Sequence, residues 1–302
     1  MRQKVANYPG VTVERKEGVW PLSSDGTHAR LVDLPGLYSL DAASIDERIA
    51  RDVVTGRVAE VPRPDVVVAV VDATNLERNL YLTTQLLEMG RPVVVALTMV
   101  DLAERARVEI DAAKLSAALG VPVVPVVATR GRGLDELAAA VIAAAEKEAG
   151  TGAGWRLSPR AEAELSALIN ASGGNGAAVT PGSTAPTASS PAPTPSASTV
   201  PPSSTRPRGD ERHEALLTLY GEELPTDEEL RARVEAARAR LATANPRWWQ
   251  EPVVARYEWI ADAARGAVRI RDKGRGVRSR SATERIDRFV THKFSARPSC
   301  SA

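Results

Sequence analysis

Between residues 66 and 149 the chain alternates short apolar runs with stretches of helical period. Val66-Val67-Val68-Ala69-Val70-Val71 is unbroken and ends at Asp72, the pattern of a strand buried on both faces. Leu76 to Met89 follows, with Leu76, Leu80, Leu86 and Leu87 on one helical face. Pro92 to Met99 repeats the buried-strand pattern, and Asp111 to Leu119 predicts a helix closed by Gly120. Val123 to Val127 predicts a further strand, and Leu134 to Ala149 an Ala-rich helix. Ahead of these, Val11 to Val13 and Ala29 to Val32 suit two short strands joined by a charged turn. Strands alternating with helices predict an α/β fold whose parallel sheet is covered on both faces.

The pattern changes after residue 150. Ala171 to Arg208 is almost entirely Ser, Thr, Pro, Gly and Ala, too poor in apolar groups to offset the entropy of ordering, and it reads as a disordered linker or loop. A glycosylated stalk is the rival reading. Asp210 to Ala244 is charged and helical, with Thr226-Asp227-Glu228-Glu229 as a helix start. Glu251 to Ile270 is another helical stretch, with Trp259, Ile260, Ala263 and Ala267 on one side. The predicted division is an α/β domain over 1–150, a small all-α domain from 155–170 and 210–290, the Ser/Thr/Pro-rich insertion at 171–209, and a tail at 291–302.

Composition narrows the class. Aromatics make up only 4% of the 302 residues, which favours an Ala/Val-rich α/β core over an aromatic-rich sandwich. A net charge of +1 supplies no global field for nucleic acid. The one cysteine, Cys300, excludes an internal disulfide framework and a cysteine metal cluster, and suits a reducing cytosol. The N-terminus lacks the apolar core of a signal peptide. Val66 to Val71 and Pro92 to Leu97 are far too short to span a bilayer, so the sequence reads as a soluble chain. His28, His213 and His292 are scattered without metal-ligand spacing, as surface or turn residues are.

Candidate chemistry lies at strand ends. Ala29-Arg30-Leu31-Val32 runs into Asp33-Leu34-Pro35-Gly36. In a Ras-like GTPase an Asp-x-x-Gly after an apolar strand brings a carboxylate to Mg²⁺, through water, and a backbone N–H to the γ-phosphate. Alone, the same four residues are a turn signal. Thr12, in Gly10-Val11-Thr12-Val13-Glu14, offers a hydroxyl that could join Asp33 on Mg²⁺, or is simply a β-former. Thr98-Met99-Val100-Asp101 ends a buried strand, where doubly wound sheets bind ligands. Asp101 there can accept guanine N1–H and N2–H₂, or can cap the next helix. Ala128-Thr129-Arg130-Gly131 ends the following strand, where a backbone N–H can reach guanine O6. Each signal is weak singly, and their common order is that of a GTP switch. The phosphate loop Gly-x-x-x-x-Gly-Lys-Ser/Thr that such a switch uses occurs nowhere in the sequence.

Longer segments are more specific. Asn7-Tyr8-Pro9-Gly10-Val11-Thr12-Val13-Glu14, Asp33 to Leu40, and Val71-Asp72-Ala73-Thr74-Asn75-Leu76-Glu77-Arg78-Asn79-Leu80 resemble the cytosolic G domain of the bacterial ferrous iron transport protein B family. Ala255 to Ile260 and Ala282 to Arg288 resemble that family's helical domain and the lead-in to its first membrane span. The resemblance implies a Ras-like P-loop GTPase sheet lacking its first strand and phosphate loop, followed by a small all-α domain. It implies GTP/GDP and Mg²⁺ as ligands held by Thr12, Asp33, Pro35, Gly36, Thr98, Met99, Asp101, Ala128 and Thr129, with K⁺ in an intact member. Its partners would be a missing membrane domain and small accessory proteins, on the cytoplasmic face of the bacterial inner membrane.

Departures from the family set further expectations. Thr98 stands where Asn is usual, which removes a tie between base loop and phosphate loop, and Val127 stands where Ser is common. Leu37 cannot orient a water as the Gln of Ras does, so no catalytic residue is assigned and slow, K⁺-assisted hydrolysis is expected of an intact version. In the Ras-like order the first strand lies between those of Leu31 and Val68, so its loss would leave two interior edges unpaired. Met1 sits where Leu is usual in the family's Gly-Leu-Arg-Gln-Lys-Val-Ala-Asn. Ala296 to Ala302 replaces an expected apolar helix after His292-Lys293-Phe294-Ser295. Both ends predict a gene-model error, a wrong start and a frameshift. The competing classes are a nucleotide-free pseudo-GTPase acting as a protein-interaction module and, third, a soluble ribosome-associated GTPase.

Overall fold

Two three-stranded sheets, one antiparallel and one parallel, frame the N-terminal half. The computed structural model describes residues 4–8, 14–37, 39–40, 44–58, 61–147, 154–173 and 208–270. Strands β1 (Lys4–Asn7), β2 (Glu14–Pro21) and β3 (His28–Asp33) form an antiparallel sheet in that order. Its β2–β3 turn is closed by Asp25, whose Oδ1 accepts from the Thr27 N–H at 2.9 Å and hydroxyl at 2.7 Å. Strands β4 (Val67–Asp72), β5 (Val93–Thr98) and β7 (Val123–Pro125) form a parallel sheet in the order β4-β5-β7. The period of 2 along β5 decides what covers it. Val93, Val95 and Leu97 face the core shared with α2 (Leu76–Glu88) and α4 (Ala112–Leu119), while Val94 and Ala96 face α5 (Leu134–Ala145).

Strand β4 departs from the double burial expected of it, because Val70 is 66% exposed. It lies on the α5 side of the sheet, and α5 sits over β5 and β7 instead. Among the described residues no strand pairs β3 to β4, and Leu31 on β3 is also exposed. Among the described residues β3 and β4 are therefore each paired on one side only.

Other boundaries also differ. The predicted strand Val11 to Val13 lies outside the described residues, and β1 and β2 flank it. Helix α1 (Ile45–Thr55) was not predicted, although Ser44 and Glu47 form a reciprocal capping box at its start. The helix predicted from Leu134 ends at Ala145. The stretch from Glu251 is α9 only to Ala267, and Val268–Ile270 becomes β8, antiparallel to β6 (Val108–Ile110). Most of the Ser/Thr/Pro-rich tract, and everything after residue 270, lies outside the described residues.

Helices α6 (Pro159–Gly173), α7 (Arg208–Tyr220), α8 (Glu228–Ala244) and α9 form the second half. The expected start of α8 is present, with the Asp227 carboxylate accepting from the Leu230 N–H at 2.7 Å. Helix α9 packs on α2 and α4, and α7 on α2, so one apolar core runs from the sheet into the helices. At its centre is a buried ion pair. Glu88 of α2, 2% exposed, accepts from Arg256 of α9 at 3.1 Å (Nε) and 2.6 Å (Nη2), and from the Trp155 indole N–H. His213 Nδ1 of α7 lies 3.7 Å from the same carboxylate.

Burial pushes the Glu88 carboxyl up, but the Arg256 charge, His213 and the Arg256 hydrogen bonds outweigh it and hold it below its ordinary value of 4.5. A depressed folded value means stability that is complete above the unfolded value and lost as pH falls through the folded one. Urea midpoints of the wild-type chain are therefore expected to drop below pH 4.5. Glu88→Gln, less stable throughout, is expected to show a shallower drop there. Parallel profiles would assign the acid sensitivity to other carboxylates.

Candidate functional site

The parallel ladder fixes the first half of the site. Thr98, the last residue of β5, pairs in register with Asp72, the last of β4, and its hydroxyl donates to the Val71 carbonyl at 3.2 Å. The chain then reverses through Met99, which has φ 56° and leaves its side chain exposed. Helix α3 (Val100–Arg105) starts at once and carries Asp101 in its first turn. The Asp101 carboxylate is partly exposed and lies 3.7 Å from Arg105, one turn on, an ion pair of a kind worth at most about 1 kcal/mol.

The second half leaves the adjacent strand. Leu97 pairs with Pro125 in register, and the Val126 N–H donates to the Leu97 carbonyl at 2.8 Å. The loop then folds back on itself, with the Val127 N–H donating to the Arg132 carbonyl at 3.0 Å. Ala128 and Thr129 form an exposed 3-10 turn at its tip. Thr98, Met99, Asp101, Ala128 and Thr129 therefore leave neighbouring strands at one C-terminal sheet edge, where open α/β sheets hold ligands. An acidic acceptor and free backbone N–H groups at such an edge suit a flat ligand carrying both donors and an acceptor.

Asp33, Pro35 and Gly36 lie at the end of β3, in the other sheet, and just after it. Asp33 closes β3 with an exposed side chain, and its carbonyl accepts from the Tyr8 hydroxyl at 3.5 Å. Pro35 is half-buried, and Gly36 is exposed with open space around it. Thr12 lies outside the described residues. Sequence reasoning missed Gln85 of α2, fully buried, whose Oε1 accepts from the Leu40 N–H at 2.7 Å. That bond ties the segment after Asp33–Gly36 to the helix that follows β4. The signal for Gln85 in the sequence was slight, a Gln beside the apolar pair Leu86-Leu87. Among the described residues no cluster of three His, Cys, Asp or Glu could hold a metal. Asp33 offers a single exposed carboxylate, which fits Mg²⁺ only in company with phosphate oxygens and water, the usual way that ion is held at nucleotides.

Comparison with known proteins bears on the fold and the family. The family described as Ferrous iron transport protein B matches residues 1–141. The Fe(2+) transporter FeoB of Salmonella typhimurium and that of Escherichia coli K12 are each 51% identical over 144 residues, 46% of this chain and 18% of theirs. The chain thus spans a small part of the curated relatives it matches. A GDP-bound mutant of the S. thermophilus FeoB G-domain superposes with a TM-score of 0.68 at 30% identity, covering 88% of this chain and 90% of that one. A second S. thermophilus mutant, bound to mGDP, gives 0.68 at 31% over the same shares. The cytosolic domain of L. pneumophila FeoB gives 0.66 at 28%. With a Ras-like α/β G-domain fold and these relatives, the chain belongs to the ferrous iron transport protein B family, of which it carries the N-terminal G-domain region.

Proposed function

We propose that this chain is the guanine-nucleotide-binding regulatory region of a ferrous iron membrane transporter, working on the cytoplasmic face of the bacterial inner membrane. The observation that carries the reading is the placement of Thr98–Asp101 and Ala128–Thr129 at one sheet edge, in the order of the base-recognition segments of a GTP switch. Asp101 accepts guanine N1–H and N2–H₂, the Met99 side chain flanks the base, and the Ala128–Thr129 backbone donates to O6. On the phosphate side, the Gly36 N–H meets the γ-phosphate and Pro35 shapes that turn. Asp33 and Thr12 hold Mg²⁺, which supplies charge neutralisation to the phosphates when bound. No residue is assigned to catalysis. Leu37 orients no water, so hydrolysis in an intact protein is slow and K⁺-assisted. No described helix is long and apolar enough to cross a membrane; the partners of this region would be a membrane domain that carries transport and small accessory proteins.

The competing reading is a pseudo-GTPase that binds only protein. Phosphate-loop contacts are worth roughly 1.5–3 kcal/mol each. Three or four of them amount to on the order of 5–10 kcal/mol, or about 10⁴- to 10⁷-fold in affinity. Mant-GDP titration with Mg²⁺ is expected to show weak binding by the 302-residue chain, and tight binding by a version with a phosphate-loop segment fused ahead of Met1. Binding by neither would leave the pseudo-GTPase.

A further inference from the structure

The Thr98–Asp101 turn is held by an unusual set of contacts. Met99 is one of two non-glycine residues with positive φ among the described residues, a conformation that side chains disfavour and that persists where neighbours over-determine it. Downstream, α3 is anchored by buried Val100 and Ala103 and packs against the 3-10 turn Ala73–Asn75 that follows β4. That turn is itself fixed by Asp72, whose Oδ1 accepts from the Thr74 N–H at 2.8 Å and hydroxyl at 2.7 Å. Upstream, the one side-chain bond from the motif to a neighbouring strand that is seen among the described residues is Thr98 Oγ1 to the Val71 carbonyl at 3.2 Å. Both supports of the turn come from the end of β4 and the 3-10 turn after it, residues 71 to 75.

We infer that Thr98 is a positioning residue for base recognition: its hydroxyl clamps the Thr98–Asp101 turn to the end of β4 and so fixes the Asp101 carboxylate. The inference rests on the guanine-binding reading above and names the residue that sets the geometry of its acceptor. A threonine does this where an alanine or valine would not, because its branched Cβ suits the strand while its hydroxyl reaches across the ladder. The clamp makes the base loop a part of the parallel sheet.

Two substitutions separate hydroxyl from shape. Thr98→Val keeps the branched outline and removes the donor, whereas Thr98→Ser keeps the donor. In the 302-residue chain, amide hydrogen exchange over residues 99–105 is expected to quicken about 3- to 10-fold in Thr98→Val, the range of one net hydrogen bond. Thr98→Ser is expected to stay near wild type, and so is exchange over 112–119 in both variants. The second readout is the ratio of mant-GDP to mant-IDP affinity, because inosine lacks the N2 amine that Asp101 accepts. Thr98→Val should lower that ratio and Thr98→Ser should keep it. Unchanged exchange in Thr98→Val, or equal loosening in both variants, overturns the clamp. A wild-type chain without preference for GDP over IDP would sink the guanine reading alone, since hydrogen exchange still decides the clamp.

Discussion

Arg256→Met is expected to lower the stability of the chain by about 3–5 kcal/mol, far beyond the effect of any surface ion pair. The reason is what it leaves behind. Glu88 is 2% exposed, and two of its hydrogen bonds come from Arg256. Without the guanidinium, the carboxylate keeps the Trp155 indole N–H and lies 3.7 Å from His213. It must then stay charged in a low-dielectric core or take up a proton. The same change removes a guanidinium stacked over Trp155 at 4.7 Å and Tyr81 at 5.5 Å, which adds to the loss. Pairing Arg256→Met with Glu88→Leu replaces both charges with apolar volume, and the double variant is expected to recover most of the deficit. Urea unfolding followed by tryptophan fluorescence measures all of this. Additive losses in the double variant would mean that the two charges act independently. Because Glu88 ends the helix that begins just after the β4 turn, and Arg256 lies on α9, the pair also ties the helical half to α2.

How far such features can be read from sequence depends on how local their physics is. Strand β5 was legible because burial on both faces writes an unbroken apolar run, and β4 carries the same run although one of its faces leaves Val70 exposed. Helix ends were legible where one side chain caps them, as Asp111 and Asp227 do. The Ser44–Glu47 capping box was equally local and was passed over. Strands β6 and β8 span three residues each, too short for any period to show, and exist because the α9 exit meets the segment after α3. The Glu88 pair joins residues 168 positions apart, and the Thr98 bond reaches 27 positions back; no spacing rule reports either. In the site, residue types and order were readable because they sit at strand ends. The exposure of Val70 was not, because it depends on what lies beside β4 and not on β4 itself.

Gly133→Ala is expected to be the most damaging glycine substitution near the site, at about 2–5 kcal/mol, with Gly131→Ala only two residues away limited to about 1–2 kcal/mol. Both glycines have positive φ, +84° and +67°, so both substitutions carry the left-handed penalty of an added Cβ. They differ in space. A Cβ on Gly131 meets nothing within 4 Å, whereas one on Gly133 would lie 2.1 Å from the Pro125 carbonyl oxygen and 3.2 Å from the Val126 Cα. Backbone cannot swing aside as a side-chain tip can, so relief requires moving the start of α5 or the end of β7. Either movement strains the Val127–Arg132 bridge that closes the Ala128–Thr129 loop. Thermal unfolding gives the stability difference between the two variants. The amide NMR shifts of residues 126–133 show whether the loop has moved, and only Gly133→Ala should move them throughout. If both variants lose the same stability, the penalty is conformational alone and the close approach of Gly133 to β7 contributes nothing.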